Sequence, residues 1–287
     1  MRTRLLKWFL LGAAALVALP LTCWGQLTSF DVATRDNMES HVGNLTGHIT
    51  PRAKYDYRRF CVGCHGELGD GEGENAKWMQ PPLFPKPRDF QLGVFKCRST
   101  PTGTLPVDQD LFDTIARGMD RSNMPQWSQL GNEQRADLVA LVKHFSPRFA
   151  TEKPGTPITI PPEPEVTPER IKAGREVFGR VQCWKCHGVQ GEANGPSAAT
   201  LTDDLGQPIA PFNFTEGSRP KCGDTDRDIY RIFMTGLDGT PMPSFADNIK
   251  PDEAWDLVFY LRTFMHEKSK AKQIAKGLGL KPVSANP

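Results

Sequence analysis

One hexapeptide decides the reading of this chain, because it occurs twice: Cys61-Val62-Gly63-Cys64-His65-Gly66 and Cys183-Trp184-Lys185-Cys186-His187-Gly188. Outward from the first copy come Pro87-Arg88-Asp89-Phe90, Phe95-Lys96-Cys97, Asp110-Leu111-Phe112, Gly118 and Met124-Pro125-Gln126-Trp127. Outward from the second come Pro211-Phe212-Asn213-Phe214, Pro220-Lys221-Cys222, Asp228-Ile229-Tyr230, Gly236 and Met242-Pro243-Ser244-Phe245. The offset is 122 residues between His65 and His187 and 118 between Met124 and Met242, so the copies differ by only a few loop residues. A repeat of this length means two structural units in series. The 287 residues suit two domains, at roughly 100–200 residues each.

The local periodicity is helical. Ile171, Gly174 and Phe178 fall on one stripe of Arg170–Arg180, behind the start signal Thr167-Pro168-Glu169. Leu138, Leu141, Val142 and Phe145 do the same in Glu133–Phe145, as do Trp255, Val258, Leu261 and Phe264 in Asp252–Phe264. No sustained alternation argues for a sheet. The expected fold class is therefore all-α, with two domains at 51–146 and 169–267. Each has an N-terminal helix, the Cys-x-x-Cys-His turn, a loop-rich middle, short helices and a closing helix. Between them, Ser146 to Glu169 holds seven prolines, so 147–168 reads as a semi-rigid extended linker. Residues 26–50 form an irregular N-terminal segment, and the Lys-rich tail 268–287 reads as a solvated, fraying helix end.

Residues 1–25 read as an address. Arg2, Arg4 and Lys7 precede an apolar run from Trp8 to Leu19, the layout of a secretory signal. The alternative is an uncleaved anchor through residues 5–25. Both place the body of the protein in the periplasm or on the outer face of the cytoplasmic membrane. The net charge is +2; without residues 1–25, 32 basic side chains face 33 acidic ones, a net of −1. Neither balance provides the basic stripe that a nucleic-acid partner requires. A polytopic membrane protein is excluded, since only this stretch approaches spanning length.

A Cys-x-x-Cys-His pentapeptide reads as an attachment site for c-type haem. Two thiols one helical turn apart can reach the two vinyl groups on one porphyrin edge, and the adjacent imidazole projects toward the iron. From this composition, chance yields on the order of 0.004 such pentapeptides, and here there are two at matched places. A thioredoxin-like redox pair is disfavoured because no βαβ pattern surrounds either copy. At these residues the chain resembles tandem class I cytochromes c, two monohaem-type domains in series, over roughly Pro51 to Met265. The resemblance implies two covalently bound haems c, held by Cys61 and Cys64 and by Cys183 and Cys186. It implies His65 with Met124, and His187 with Met242, as the axial iron ligands. Met119 is the internal rival to Met124, but the matching position in the second half is Leu237. His144 and His266 read as surface residues; His41 and His48, in the N-terminal segment, are alternative ligands.

Cys97 and Cys222 remain, at equivalent places in the repeat. A disulfide tying the domains together and two separate buried thiols both stay open, as does Cys97 as a thiolate ligand of the first haem.

Iron with two protein ligands can change oxidation state but offers no open position for a substrate. The expectation is an electron-transfer protein with no catalytic residues, passing single electrons between redox protein partners outside the cytoplasmic membrane. The alternative is the dihaem subunit of a membrane respiratory complex, quinol-oxidising or oxygen-reducing. A dihaem enzyme, such as a thiosulfate dehydrogenase or a peroxidase, is the third reading.

Overall fold

Thr50 caps the first described helix: its side chain accepts from the Ala53 N–H at 3.0 Å, and Pro51 occupies the first helical position. The computed structural model describes residues 49–81, 85–265 and 269–284, all within one unit, His41–Pro287. The expectations for residues 1–48, including His41 and His48, and that for His266, lie outside the described residues.

The first half contains α1 (Pro51–Phe60), the short α2 (Val62–His65), a 3₁₀ turn (Glu74–Trp78), α3 (Asp108–Arg117), the closing α4 (Asn132–Phe145) and α5 (Pro147–Thr151). The second half repeats the order with α6 (Pro168–Arg180), α7 (Trp184–His187), a 3₁₀ turn (Ala198–Thr200), α8 (Asp226–Thr235) and α9 (Pro251–Phe264), and then adds α10 (Lys270–Leu278). Among the described residues there is no strand; Thr202 and Pro208 form an isolated bridge. The fold is all-α.

In each half the N-terminal helix crosses the closing helix. At the α6–α9 crossing, a Cβ on Gly174 would lie 1.9 Å from the Asp256 carbonyl oxygen, so only glycine permits this approach. Around it Ile171, Phe178, Trp255, Val258 and Phe259 are buried, and burying side chains of this size stabilises by about 1.5–3 kcal/mol each. The α1–α4 contact in the first half is partly polar. Buried Asp137 accepts from Thr50 Oγ1 and Arg52 Nε, each at 2.8 Å, so the buried carboxylate is hydrogen-bonded and paired.

Two segments differ from the sequence expectation. The linker does not begin extended: Pro147–Thr151 is helical, with Pro147 at the first position, where the lost N–H costs nothing. The linker then lies along the first half, with the Gly155 N–H donating to the Leu105 carbonyl at 3.0 Å and that of Ile158 to Ser99 at 2.8 Å. The Lys-rich tail is not a fraying end. Ser269 caps α10, Ala271 is buried, and Ile274 and Ala275 pack on the second core. Its lysines hold the outer face while an apolar stripe docks.

The halves are joined covalently and by ion pairs. Cys97 and Cys222 form a disulfide with a Cα–Cα distance of 5.2 Å, which removes the free-thiol and Cys97-ligand readings. Asp120 and Asp238 occupy equivalent places in the repeat, and each accepts from an arginine of the opposite half: Asp120 from Arg219 at 3.1 Å, Asp238 from Arg98 at 2.7 Å. The aspartates are equivalent but their partners are not, because aligning Cys97 with Cys222 sets Arg98 against Gly223 and Arg219 against Val94, so the contact is only partly isologous. Arg98 is fully buried and also donates to the carbonyls of Phe95, Pro101 and Thr235.

Candidate functional site

The Cys-x-x-Cys-His segments form α2 and α7, each a single turn ended by a glycine at positive φ, 76° at Gly66 and 78° at Gly188. One turn places both thiols and the imidazole along one face. Cys61, Cys64 and His65 line a cavity in the first half that encloses about 1270 Å³ of empty space, its open mouth included. Cys183, Cys186 and His187 line one of about 2590 Å³ in the second half. No disulfide joins either cysteine pair. Burial pushes the Cys61 and Cys183 thiols up to about 12. Among the described residues no cluster of three or more His, Cys, Asp or Glu is gathered as a metal site.

Both imidazoles are held alike. Nδ1–H of His65 donates to the Arg88 carbonyl at 3.1 Å, and Nδ1–H of His187 to the Phe212 carbonyl at 2.9 Å. A carbonyl can only accept, so it fixes the proton on Nδ1 and leaves the Nε2 lone pair for a metal. Burial pushes both imidazoles below their ordinary value, with the carbonyls opposing, so both stay neutral near pH 7. Phe90 stacks on His65 with ring centroids 4.4 Å apart, and Phe214 lies 5.0 Å from His187. No sequence motif by itself assigns Arg88, Phe90, Phe212 or Phe214 a role. Their signal was the repeated Pro-x-x-Phe, whose second residue in each case supplies the carbonyl.

Met124 and Met242 line the cavities of their own halves. Their loops match bond for bond. The Met124 N–H donates to Ser122 Oγ and that of Met242 to Thr240 Oγ1, both at 3.2 Å. The Met119 and Leu237 N–H groups donate to the carbonyls of Met124 and Met242, both at 3.0 Å. Met119 also lines the first cavity, and so does Met79, which no sequence motif marks. The matching positions in the second cavity are Leu237 and Leu201. Only Met124 and Met242 are methionine in both halves. His144 is exposed, as expected.

The unpaired thiols, the Nδ1-anchored imidazoles and the apolar walls, with Trp127 in one cavity and Phe245 in the other, fit a covalently attached c-type haem.

Comparison with known proteins agrees. Residues 171–264 match the family described as Cytochrome c, and residues 50–142 match Cytochrome C oxidase, cbb3-type, subunit III. No curated protein matches the chain. Among solved structures, a chain of the Kuenenia stuttgartiensis reducing HAO-like protein complex Kustc0457/Kustc0458 is similar, with 42% sequence identity and a TM-score of 0.73. The match covers 76% of this chain and 98% of that one. With a helical fold, two repeated sites and matches of this kind, the chain belongs to the cytochrome c family, as an electron-transfer protein built from two cytochrome c domains in tandem.

Proposed function

We propose that this chain is a dihaem c-type cytochrome that passes single electrons between redox partners outside the cytoplasmic membrane. The observation that carries the reading is the duplicate constellation: each cavity brings together a cysteine pair, a histidine with its Nδ1 proton committed to a carbonyl, and the matched methionine.

When bound, haem supplies a one-electron iron couple. The chain's own residues do the rest. Cys61 and Cys64, and Cys183 and Cys186, hold the group as thioethers. His65 and His187 present Nε2, Met124 and Met242 present a thioether sulfur, and a His/Met set raises the reduction potential. Tyr57, Phe90 and Trp127 in the first half, and Phe178, Phe214 and Phe245 in the second, shield the sites from water. A peroxidase or thiosulfate dehydrogenase would need an iron with an open or different ligand, and the matched methionines argue against one.

Export is supported by Arg2, Arg4 and Lys7 ahead of the apolar run and by the Cys97–Cys222 disulfide, a bond of oxidising compartments. Among the described residues no helix is long and apolar enough to cross a membrane. A second reading is a fixed subunit of a larger redox assembly. It is favoured by the Kuenenia relative, which comes from a protein complex and is matched over nearly its full length. The cbb3-type match, confined to residues 50–142, is narrower support for a membrane complex.

Changing both Cys61 and Cys64 to Ala should leave half the haem stain after denaturation. Full staining of that variant would refute the assignment. Native mass of the protein from its own source distinguishes a free carrier from a subunit.

A further inference from the structure

The two cavities meet. The residues lining both include three cations, Arg88, Lys96 and Lys221, whose side chains have no carboxylate within ion-pairing distance among the described residues. The fourth, Lys86, donates to the Ala76 carbonyl at 2.8 Å. The arrangement follows from the repeat. Lys96 precedes Cys97 and Lys221 precedes Cys222, so the bond that brings those Cα atoms to 5.2 Å also brings the two lysines together. Each lysine then lines the cavity of the opposite half as well as its own. Arg88 reaches across too, its guanidinium lying against Gly239 of the second half. Gathering half-buried cations of one sign is unfavourable without an anion. Burial, then Lys221 and Arg88, push the Lys96 ammonium down to about 7, with Asp203 and Asp204 opposing. Asp203 lines only the second cavity, and its carboxylate accepts from the backbone N–H groups of Leu205 and Gln207.

We propose that Arg88, Lys96 and Lys221 form one shared seat for the carboxylate side chains of the groups bound in both cavities, so that the two haems are electrostatically coupled through a single set of cations. This rests on the two-haem reading. Haem carries two carboxylates, so two haems bring four, and the seat is open to both cavities. A positive charge at the seat favours the reduced iron on either side, and removing it disfavours reduction of both.

The test uses the full chain with haem attached, its two midpoint potentials resolved by spectroelectrochemical titration. Lys96→Met and Lys221→Met should each lower both potentials. The expected size is about tenfold in the ferrous-to-ferric ratio, ~59 mV for one electron. Lys96→Arg should restore both, and Lys54→Met, at an exposed site on α1, should move neither. If Lys96→Met fails to accumulate, Lys96→Gln takes its place with the same expectation. A shift confined to the haem of the lysine's own half, or no shift, overturns the proposal. Wild-type potentials that move with added phosphate at constant ionic strength also overturn it, since a free anion would then occupy the seat. Haem stain per chain is measured first: fewer than two haems refutes the two-haem reading, whereas two haems with unmoved potentials refute the shared seat alone.

Discussion

Met124 and Met242 show how much a single residue's meaning depends on its counterpart. Three methionines line the first cavity, Met79, Met119 and Met124, and a methionine is ordinarily adaptable filler. The second cavity answers with Leu201, Leu237 and Met242, so two of the three are replaced by leucine and one is methionine in both halves. Met242→Ala should open one iron, so that the reduced protein binds carbon monoxide at one haem and that haem's potential falls. Met124→Ala should do the same in the first half, while Met119→Leu should leave the spectrum and both potentials in place. Carbon monoxide spectra of the three variants check this; an unchanged Met124→Ala spectrum would move the ligand to Met119 or Met79. The pentapeptide cysteines and histidines were legible from the sequence because their spacing is chemically demanding. The carbonyls of Arg88 and Phe212 were not, because any residue type carries one and only the fold aims it.

At the scale of elements, the methionine loops depend on glycine. Gly118 and Gly236 end α3 and α8 at φ 69° and 70°. A Cβ on Gly118 would lie 2.6 Å from both the Gln126 nitrogen and the Pro125 carbonyl carbon; on Gly236 it would lie 2.6 Å from the Ser244 nitrogen. The loop carrying the methionine thus packs its backbone against the helix end. Gly118→Ala should destabilise the protein by about 2 kcal/mol or more, from the left-handed backbone and the clash together. It should also open the first haem to carbon monoxide without altering haem stain. Denaturant melts and the reduced spectrum check both parts. The helices with long apolar stripes, α4, α6 and α9, were readable from their period. Helix α10 was not, because its lysines dominate its composition and its apolar stripe has meaning only once α9 supplies a surface.

For the whole molecule, the disulfide and the exchanged ion pairs act as one clasp. Cys97 and Cys222 close a loop with a sequence separation of 125, and a disulfide typically contributes about 2–4 kcal/mol. Cys97→Ala with Cys222→Ala should lower stability by that amount and leave two haems per chain. Arg98 with Asp238 and Arg219 with Asp120 should keep the halves docked. Thermal denaturation and small-angle scattering read the two effects separately. An extended two-bead profile in the variant would show that the bond, not the ion pairs, holds the halves together.

The amino-acid sequence alone determined the duplication, the helical class, the haem-type pentapeptides and the equivalence of Met124 with Met242. Each of these is local: a spacing along the chain or a copy of one. It left Cys97 and Cys222 open, since a bond between residues 125 positions apart depends on where two separate cores come to rest. Tertiary structure decided that bond, the docking of α10, and the meeting of Lys96 with Lys221 at the wall between two cavities. The physical reason is the same in each case. Residues far apart in the chain acquire chemistry from one another only when burial of apolar surface has paid the entropy of bringing them together.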